Sequence, residues 1–321
     1  MLLRFKQQRC FLVIVGLLVL TLVLTILPQG SFASENMAQS FIKEAKAILK
    51  VNYETHKKYF SYDNTWKIFN RYYLYDIDKN GVPELLVQEG SCEADFVMVV
   101  YKYANNKLVK IGKISSGHSS FYTYPEANGI ILHMCHMGGE QITIYSIVNN
   151  SIKKEQVFDG YFPDSPYVYY GAEQEYKPYV EGSRAVPWAY VNDYSLLNDY
   201  FNMDANSEIK VYICGGRVKF DVSPVVESGR ILVPVRAIFE EALSGTVTWN
   251  EATDTVLINR YDDNISITVG SKTALVNNVK HTLDVPARKI NNRVLVPLRF
   301  VGEQLGRHVE WVKETKEVYL E

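Results

Sequence analysis

One stretch of this chain is written twice. Residues 229–249 read GRILVPVRAIFEEALSGTVTW, and residues 292–311 read NRVLVPLRFVGEQLGRHVEW. Arg230, Val233, Pro234, Arg236, Glu240, Leu243, Gly245, Val247 and Trp249 recur as Arg293, Val296, Pro297, Arg299, Glu303, Leu305, Gly306, Val309 and Trp311, at a spacing near 63 residues. Repetition of this kind fixes the architecture of the segment that carries it, because one small unit cannot bury its apolar face alone. The two copies are therefore expected to share a core or a continuous sheet.

Each copy can be built residue by residue. Val211 and Ile213, then Gly215-Gly216, then Val218 and Phe220 alternate apolar positions around a turn, which is a hairpin pattern. Ser228-Gly229 and Asn291-Asn292 are turns into the strands Ile231–Val233 and Val294–Val296. Pro234 and Pro297 stand where a helix begins and a missing N–H costs nothing. Val235, Ile238, Phe239, Ala242 and Leu243 fall on one helical face, and Leu298, Val301 and Leu305 repeat it. Gly245 and Gly306 end the helices, and Val247–Trp249 and Val309–Trp311 lead into the last hairpins. Arg236 and Arg299 are the candidate ligand-facing residues. A positive charge in a first helical turn opposes the helix dipole, so a ligand carboxylate or phosphate is a natural partner. Glu240 and Glu303, four residues on, offer a purely structural partner instead. Trp249 and Trp311 read as core rather than as sugar platforms.

The pattern of an Asp and a Pro, then (G/N)-R-x-L-V-P-(V/L)-R, a short helix, Leu-Gly and Val-x-Trp resembles the copper amine oxidase N-terminal-like, or stalk, domain. The resemblance covers residues 208–321, about a third of the chain, and both copies carry it. It implies a small α+β module common in exported proteins of Gram-positive bacteria. It does not imply amine oxidation, since in the name-giving enzymes the stalk lies apart from the catalytic domain. Those enzymes resemble one another in an Asn-Tyr-Asp/Glu tripeptide and a His-x-His copper pair. This chain has Asn52-Tyr53-Glu54 but no His-x-His among its six histidines, so no copper or quinone cofactor is expected.

The N-terminus points to export. Arg4, Lys6 and Arg9 precede an apolar run from Phe11 to Leu27, and Ser31-Phe32-Ala33 supplies small residues for cleavage. Residues 1–33 read as a signal peptide, which makes the protein secreted or held in the cell envelope. If uncleaved, the run is at the short edge of what spans a bilayer and would be the sole membrane contact. With a formal charge of −2 and no basic run, nucleic acid is not an expected partner. Beyond residue 33 the chain keeps Cys92, Cys135 and Cys214. An exported chain permits disulfides, and Cys92 with Cys135 is the expected pair, both lying in the middle segment.

That middle segment, 35–203, reads as an α+β domain that is mainly antiparallel β. Phe41, Ala45, Ile48 and Leu49 recur at helical spacing. From Tyr72 to about Val157 short apolar strands alternate with Asn and Gly turns and suggest one meandering sheet. Residues 159–183 are rich in Tyr and Pro, Ala189–Phe201 reads as a closing helix, and residues 204–207 as a linker. The sharpest local motif is Asp76-Ile77-Asp78-Lys79-Asn80-Gly81-Val82-Pro83-Glu84. Asp76, Asp78 and Asn80 at alternate positions, the carbonyl of Val82 and the carboxylate of Glu84 can form an oxygen shell of the kind Ca²⁺ prefers. The motif resembles the start of EF-hand-like loops but has Val87, not Glu, at the twelfth position, and strands rather than helices on its flanks. The alternative is an Asx-type turn that satisfies its own backbone. His133-Met134-Cys135-His136 is rich in soft ligands, yet on a strand these side chains diverge. No hydrolase constellation stands out. The expectation is an exported, non-catalytic envelope protein that binds or is tethered to cell-wall polymer, or else an extracellular protein partner, with calcium in the middle domain. The alternatives are an extracellular hydrolase acting on wall or polysaccharide, and an adhesion module.

Overall fold

The structure, a computed structural model, describes residues 35–57, 70–125, 127–136, 139–161, 182–201, 208–242, 245–260, 263–304, 306–313 and 315–321. The expected signal peptide, the linker at 204–207 and most of the Tyr-rich segment lie outside the described residues. No helix among those residues is long and apolar enough to cross a membrane. The described chain is rich in β-structure, and nearly all strand pairs are antiparallel.

Helix α1 (Glu35–His56) buries Phe41, Ala45, Leu49 and Asn52, the face that its periodicity marks out. Asn52 of the Asn-Tyr-Glu tripeptide is a structural residue: its Nδ2 donates to the Gln88 carbonyl at 2.9 Å, and its Oδ1 accepts from Asn70 at 3.1 Å. Two meanders follow where the sequence suggested one. The first is β1 (Arg71–Tyr75), β2 (Glu84–Glu89), β3 (Val97–Ala104) and β4 (Lys107–Ser115). The second is β5 (Ser119–Thr123), β6 (Ile130–His136), β7 (Gly139–Val148) and β8 (Ser151–Tyr161). Strand alternation sorts the side chains by face. Tyr72, Leu74, Leu85 and Val87 meet α1, whereas Tyr73, Leu86, Met98 and Val100 meet Phe121, Ile130, Leu132 and Tyr145 of the second meander. At about 1.5–3 kcal/mol per fully buried large side chain, these two interfaces hold the middle segment together.

The segment read as one closing helix divides. Trp188–Tyr190 is a strand, β9, and only Ser195–Phe201 is helical, α2. β9 pairs with β1 on one side and with the short strand at Gly216–Arg217 on the other, so tertiary pairing overrides local propensity there. β10 (Lys210–Ile213) and β11 (Gly216–Arg217) form the expected hairpin. The parallel contact of Gly216 with Trp188 carries the sheet across from the repeat segment to the middle segment. With the last two strands of the chain, β21 (Val309–Val312) and β22 (Glu317–Leu320), the result is one nine-stranded sheet, β21-β22-β10-β11-β9-β1-β2-β3-β4. Around that seam Trp188 donates its N–H to the Gly215 carbonyl at 2.8 Å and its indole N–H to the Cys214 carbonyl at 3.0 Å. The Glu321 carboxylate accepts the Ala185 N–H at 2.8 Å, and Arg217 pairs with Asp199 at 3.0 Å. A side chain at 216 would meet the Trp188 ring at 2.7 Å, so Gly216 is the residue that lets the ring in.

The repeat segment continues with β12 (Val225–Glu227), β13 (Arg230–Pro234), a helical turn over Ala237–Ala242, β14 (Thr246–Asn250) and β15 (Thr255–Arg260). Then come β16 (Asp263–Thr268), β17 (Thr273–Val276), β18 (Val279–Thr282) and β19 (Arg288–Ile290). It ends with β20 (Arg293–Pro297), helix α3 (Leu298–Gln304), β21 (Val309–Val312) and β22 (Glu317–Leu320). β13 and β20, which carry the duplicated text, pair antiparallel with Val233 opposite its own counterpart Val296. That register is the signature of a local two-fold axis. Each copy also lends its first hairpin to the other. β10 pairs with β22, the end of the second copy, while β17 reaches β15 of the first copy through β16. The shared core expected from the repeat is a single cluster drawing on both copies, among them Val211, Val233, Ile238, Phe239, Val296, Val301 and Leu320.

The copies differ where the first has one extra residue. Eleven positions separate Arg236 from Val247, against ten from Arg299 to Val309. The first copy absorbs the extra residue as a π-helical turn, with the Gly245 N–H reaching back to the Phe239 carbonyl. In the second copy α3 is α-helical and closes with the Arg307 N–H on the Gly302 carbonyl at 2.9 Å.

Candidate functional site

The loop between β1 and β2 gathers the predicted oxygen ligands. Asp76, Asp78 and Glu84 offer carboxylate oxygens that lie within 4.8 Å of one another, the one such His/Cys/Asp/Glu group among the described residues. The turn is built by backbone capping. The Asp76 carboxylate accepts the N–H groups of Asn80 at 3.0 Å and Gly81 at 2.8 Å, and Asn80 Oδ1 accepts the Val82 N–H at 2.8 Å. Lys79 and Gly81 both take positive φ, which tightens the loop. The Asx-turn reading therefore accounts for Asp76 and Asn80. It does not account for Asp78 and Glu84. Glu84 begins β2 and is buried; its Oε2 accepts the Ile77 N–H at 2.9 Å, but its Oε1 has no hydrogen-bond partner. Asp78 accepts from the Lys102 ammonium through one oxygen and leaves the other buried and unpartnered. Burial, with the Asp78 charge adding to it, pushes the Glu84 carboxyl up to about 8. A bare buried carboxylate is costly, and it is neutralised either by a proton or by a cation. The hydroxyl of Tyr200 in α2, whose ring stays 40% exposed, is held above the usual range by burial and then by the charges of Asp76 and Glu84. Lys102 is the member that sequence reasoning missed; it comes from β3, across the sheet, and no local spacing points to it.

The other candidates separate. Cys92 and Cys135 are not joined: they stand, with Cys214, as exposed free thiols. Cys92 precedes β3 of the first meander and Cys135 ends β6 of the second, so splitting the expected single sheet also splits the expected pair. His133 hydrogen-bonds Glu140 at 2.5 Å, while His118 stacks on His136 at 3.8 Å, and the strand does send its soft ligands apart. In the repeat segment Arg236 pairs with Glu240 at 3.2 Å as an i,i+4 surface pair. Arg299 makes no such pair with Glu303; its charge instead acts on Asp284.

Arg230 and Arg293 prove to be clasps between the copies. Arg293 pairs with Asp221 at 2.5 Å, and Arg230 pairs with Asp284. Each Arg thus holds the Asp of the opposite copy, and both carboxyls are lowered first by that hydrogen bond. The signal for this was present, since Asp221 and Asp284 keep the same 63-residue spacing as the two Arg residues. Between the copies lies a half-open cleft of about 230 Å³, lined by Arg236, Trp249, Lys289 and Arg293 over Val247 and Val256.

Residues 212–320 match the copper amine oxidase N-terminal domain. The matched span runs from β10 into β22 and so takes in both copies of the repeat and the cleft between them. The match is to this domain, not to an oxidase catalytic domain, and it suggests a non-catalytic stalk-type module. No curated protein and no solved structure matches the chain.

Proposed function

We propose that this is an exported, non-catalytic cell-envelope protein in which the two-repeat, stalk-type module binds or tethers to envelope polymer. In this reading the middle segment is held rigidly on that module and carries a Ca²⁺ loop. The observation that supports it best is the nine-stranded sheet. A module of stalk type is joined through Gly216 and Trp188 to the segment it presents. Export rests on the pattern at residues 4–33.

The Ca²⁺ part rests on the unpartnered oxygens of Asp78 and Glu84 beside Asp76. Carboxylates placed within 4.8 Å of one another suit an ion with oxygens at about 2.3–2.6 Å. Asp76, Asp78, Asn80, the Val82 carbonyl and Glu84 would hold it, with the Lys102 ammonium giving way. Few carboxylates and an extracellular setting put the dissociation constant in the range of roughly 10⁻⁴–10⁻³ M.

The test is a pull-down of the full chain from residue 34 on purified cell-wall sacculi, with and without Ca²⁺, beside a calcium titration of the same chain and its Glu84→Gln variant. Retention on sacculi supports the envelope reading, and a calcium isotherm lost in Glu84→Gln supports the loop. No retention in either condition would sink the polymer-binding function. A Glu84→Gln variant that binds calcium as well as the parent would remove the loop from it.

A further inference from the structure

The cleft between the two copies is suited to one kind of occupant. Three cations line it and none of its lining side chains is acidic. Two of the three are partly engaged. Arg293 is held by Asp221, and Arg236 leans on Glu240 in a half-exposed pair of the weak, solvent-screened sort. Lys289 is different. Its ammonium lies 4.7 Å from the Trp249 ring centroid and has no carboxylate within ion-pair distance among the described residues. An exposed cation over an indole gains less than a charge-assisted hydrogen bond to an anion returns.

Beneath the cations the wall is apolar, with the half-buried Trp249 and the buried Val247 and Val256. Such a site wants a ligand with a negative group at one end and an apolar ring face at the other. Its volume falls below the roughly 300–1,000 Å³ of sites that enclose a whole drug-sized ligand. That leaves room for about one sugar-sized unit.

The local two-fold axis supplies an internal control. The equivalent place on the other side has Arg230, Arg299 and Trp311, but Val226 stands 63 residues before Lys289, and Val226 and Trp311 are both exposed. Among the described residues the second place thus lacks the counterpart of Lys289 and leaves its indole exposed.

We propose that this cleft binds one anionic sugar unit of an envelope polymer, its phosphate or carboxylate against Lys289 and Arg236 and its ring against Trp249. The proposal rests on the polymer-binding reading above and gives it a place and a ligand class. The experiment is isothermal titration of the chain from residue 34 with three probes: a phosphorylated mannopentaose, an oligogalacturonate and neutral chitohexaose. It is repeated with Lys289→Glu and Arg299→Ala, whose melting temperatures are checked against the parent, and all three proteins are also applied to sacculi.

The expected result is binding of at least one anionic probe, weakened about tenfold or more in Lys289→Glu and by salt, and unchanged in Arg299→Ala. Preference between the two anionic probes tells phosphate from carboxylate. Equal binding of chitohexaose overturns the anionic class. Equal binding by Lys289→Glu, to probe or to sacculi, overturns the cleft while leaving polymer binding in place. Failure of the parent protein on every probe and on sacculi overturns both.

Discussion

Position 216 is glycine in the first copy of the repeat, and its counterpart 63 residues on, position 279, is valine. The hairpins around them turn in the same way, with positive φ at Cys214 and Gly215 in one and at Asn277 and Asn278 in the other. Their surroundings differ. β11 is pressed against Trp188 and continues into the middle segment, whereas β18 is the edge of its sheet and Val279 is 61% exposed. Lys280 beside it is also exposed, as befits an edge that must not pair with a second chain. The same duplicated unit has thus been used once as an internal joint and once as a free end. The residues that depart from the repeat mark which is which.

A similar exchange occurs in the two helices. Phe239 is buried in the first copy where the second has Gly302, and a side chain at 302 would lie 2.2 Å from the Val309 methyl. In the second copy the ring sits two residues earlier, at the buried Phe300, opposite Ala237 in the first. Copying one unit into the other should therefore fail at these sites. Gly302→Phe is expected to cost stability at or beyond the roughly 3 kcal/mol upper end for overpacked cores. Urea unfolding measures it, and a loss under about 1 kcal/mol would mean that the copies are interchangeable in their cores.

The joint itself comes next. Gly216→Val should destabilise by about 2–3 kcal/mol, because the new side chain meets the Trp188 ring at 2.7 Å. The mirror change, Val279→Gly, sits on an exposed edge and should cost only about 0.5–1 kcal/mol of strand propensity. Equal effects would break the contrast between joint and edge.

How far the sequence carried this contrast depends on range. The repeat, the turns at 228–229 and 291–292, the strands leading into Pro234 and Pro297 and the face of α1 were legible, because each is set by spacing within a few residues. β9 was not: Ala189 and Tyr190 were read as the start of a helix, and they become strand because Tyr72 and Arg71 supply a ladder 117 to 119 residues away. The Cys92–Cys135 pair failed for the same reason, since assigning strands to sheets is a long-range decision. In the loop, spacing found Asp76, Asp78 and Glu84, but not Lys102. The one-residue difference between the helices was visible in the text; its outcome as a π-turn depended on where Val247 had to land.

If the first hairpin belongs to the sheet that holds the loop, calcium should be felt there. β11 reaches the loop strands through β9 and β1. Saturating Ca²⁺ is expected to slow amide exchange in β10–β11 and to leave β17–β18 unchanged. Without calcium, Glu84 sets a pH dependence. Its folded carboxyl is raised to about 8 from an ordinary value of 4.5, so its favourable contribution is complete below about 4.5 and is lost as pH rises through 8. Glu84→Gln should match the parent at pH 5 and exceed it by about 2 kcal/mol at pH 9, allowing for water reaching the loop. Added Ca²⁺ should remove that advantage, since it satisfies the carboxylate in the parent alone. A calcium-free parent that is as stable as the variant at pH 9 would show that Lys102 already neutralises the pair.

The smallest expected difference lies on the helix surfaces. Arg236 reaches Glu240 at 3.2 Å across one helical turn, whereas Arg299 leaves Glu303 and lends its charge to Asp284, which Arg230 already holds. A double-mutant cycle on Arg236 and Glu240 should return a coupling of about 0.3–0.5 kcal/mol, and the cycle on Arg299 and Glu303 a coupling near zero. The value lies in what the two arginines do next. Arg236→Ala should lose little stability but weaken the anionic probe, because its guanidinium lines the cleft. Arg299→Ala should change neither. If both variants weaken the probe alike, the second side of the axis also binds, and the contrast drawn from Lys289 and Val226 is wrong. If Arg236→Ala alone does so, the extra residue that widened the first helix has also shaped the side of the molecule that meets the polymer.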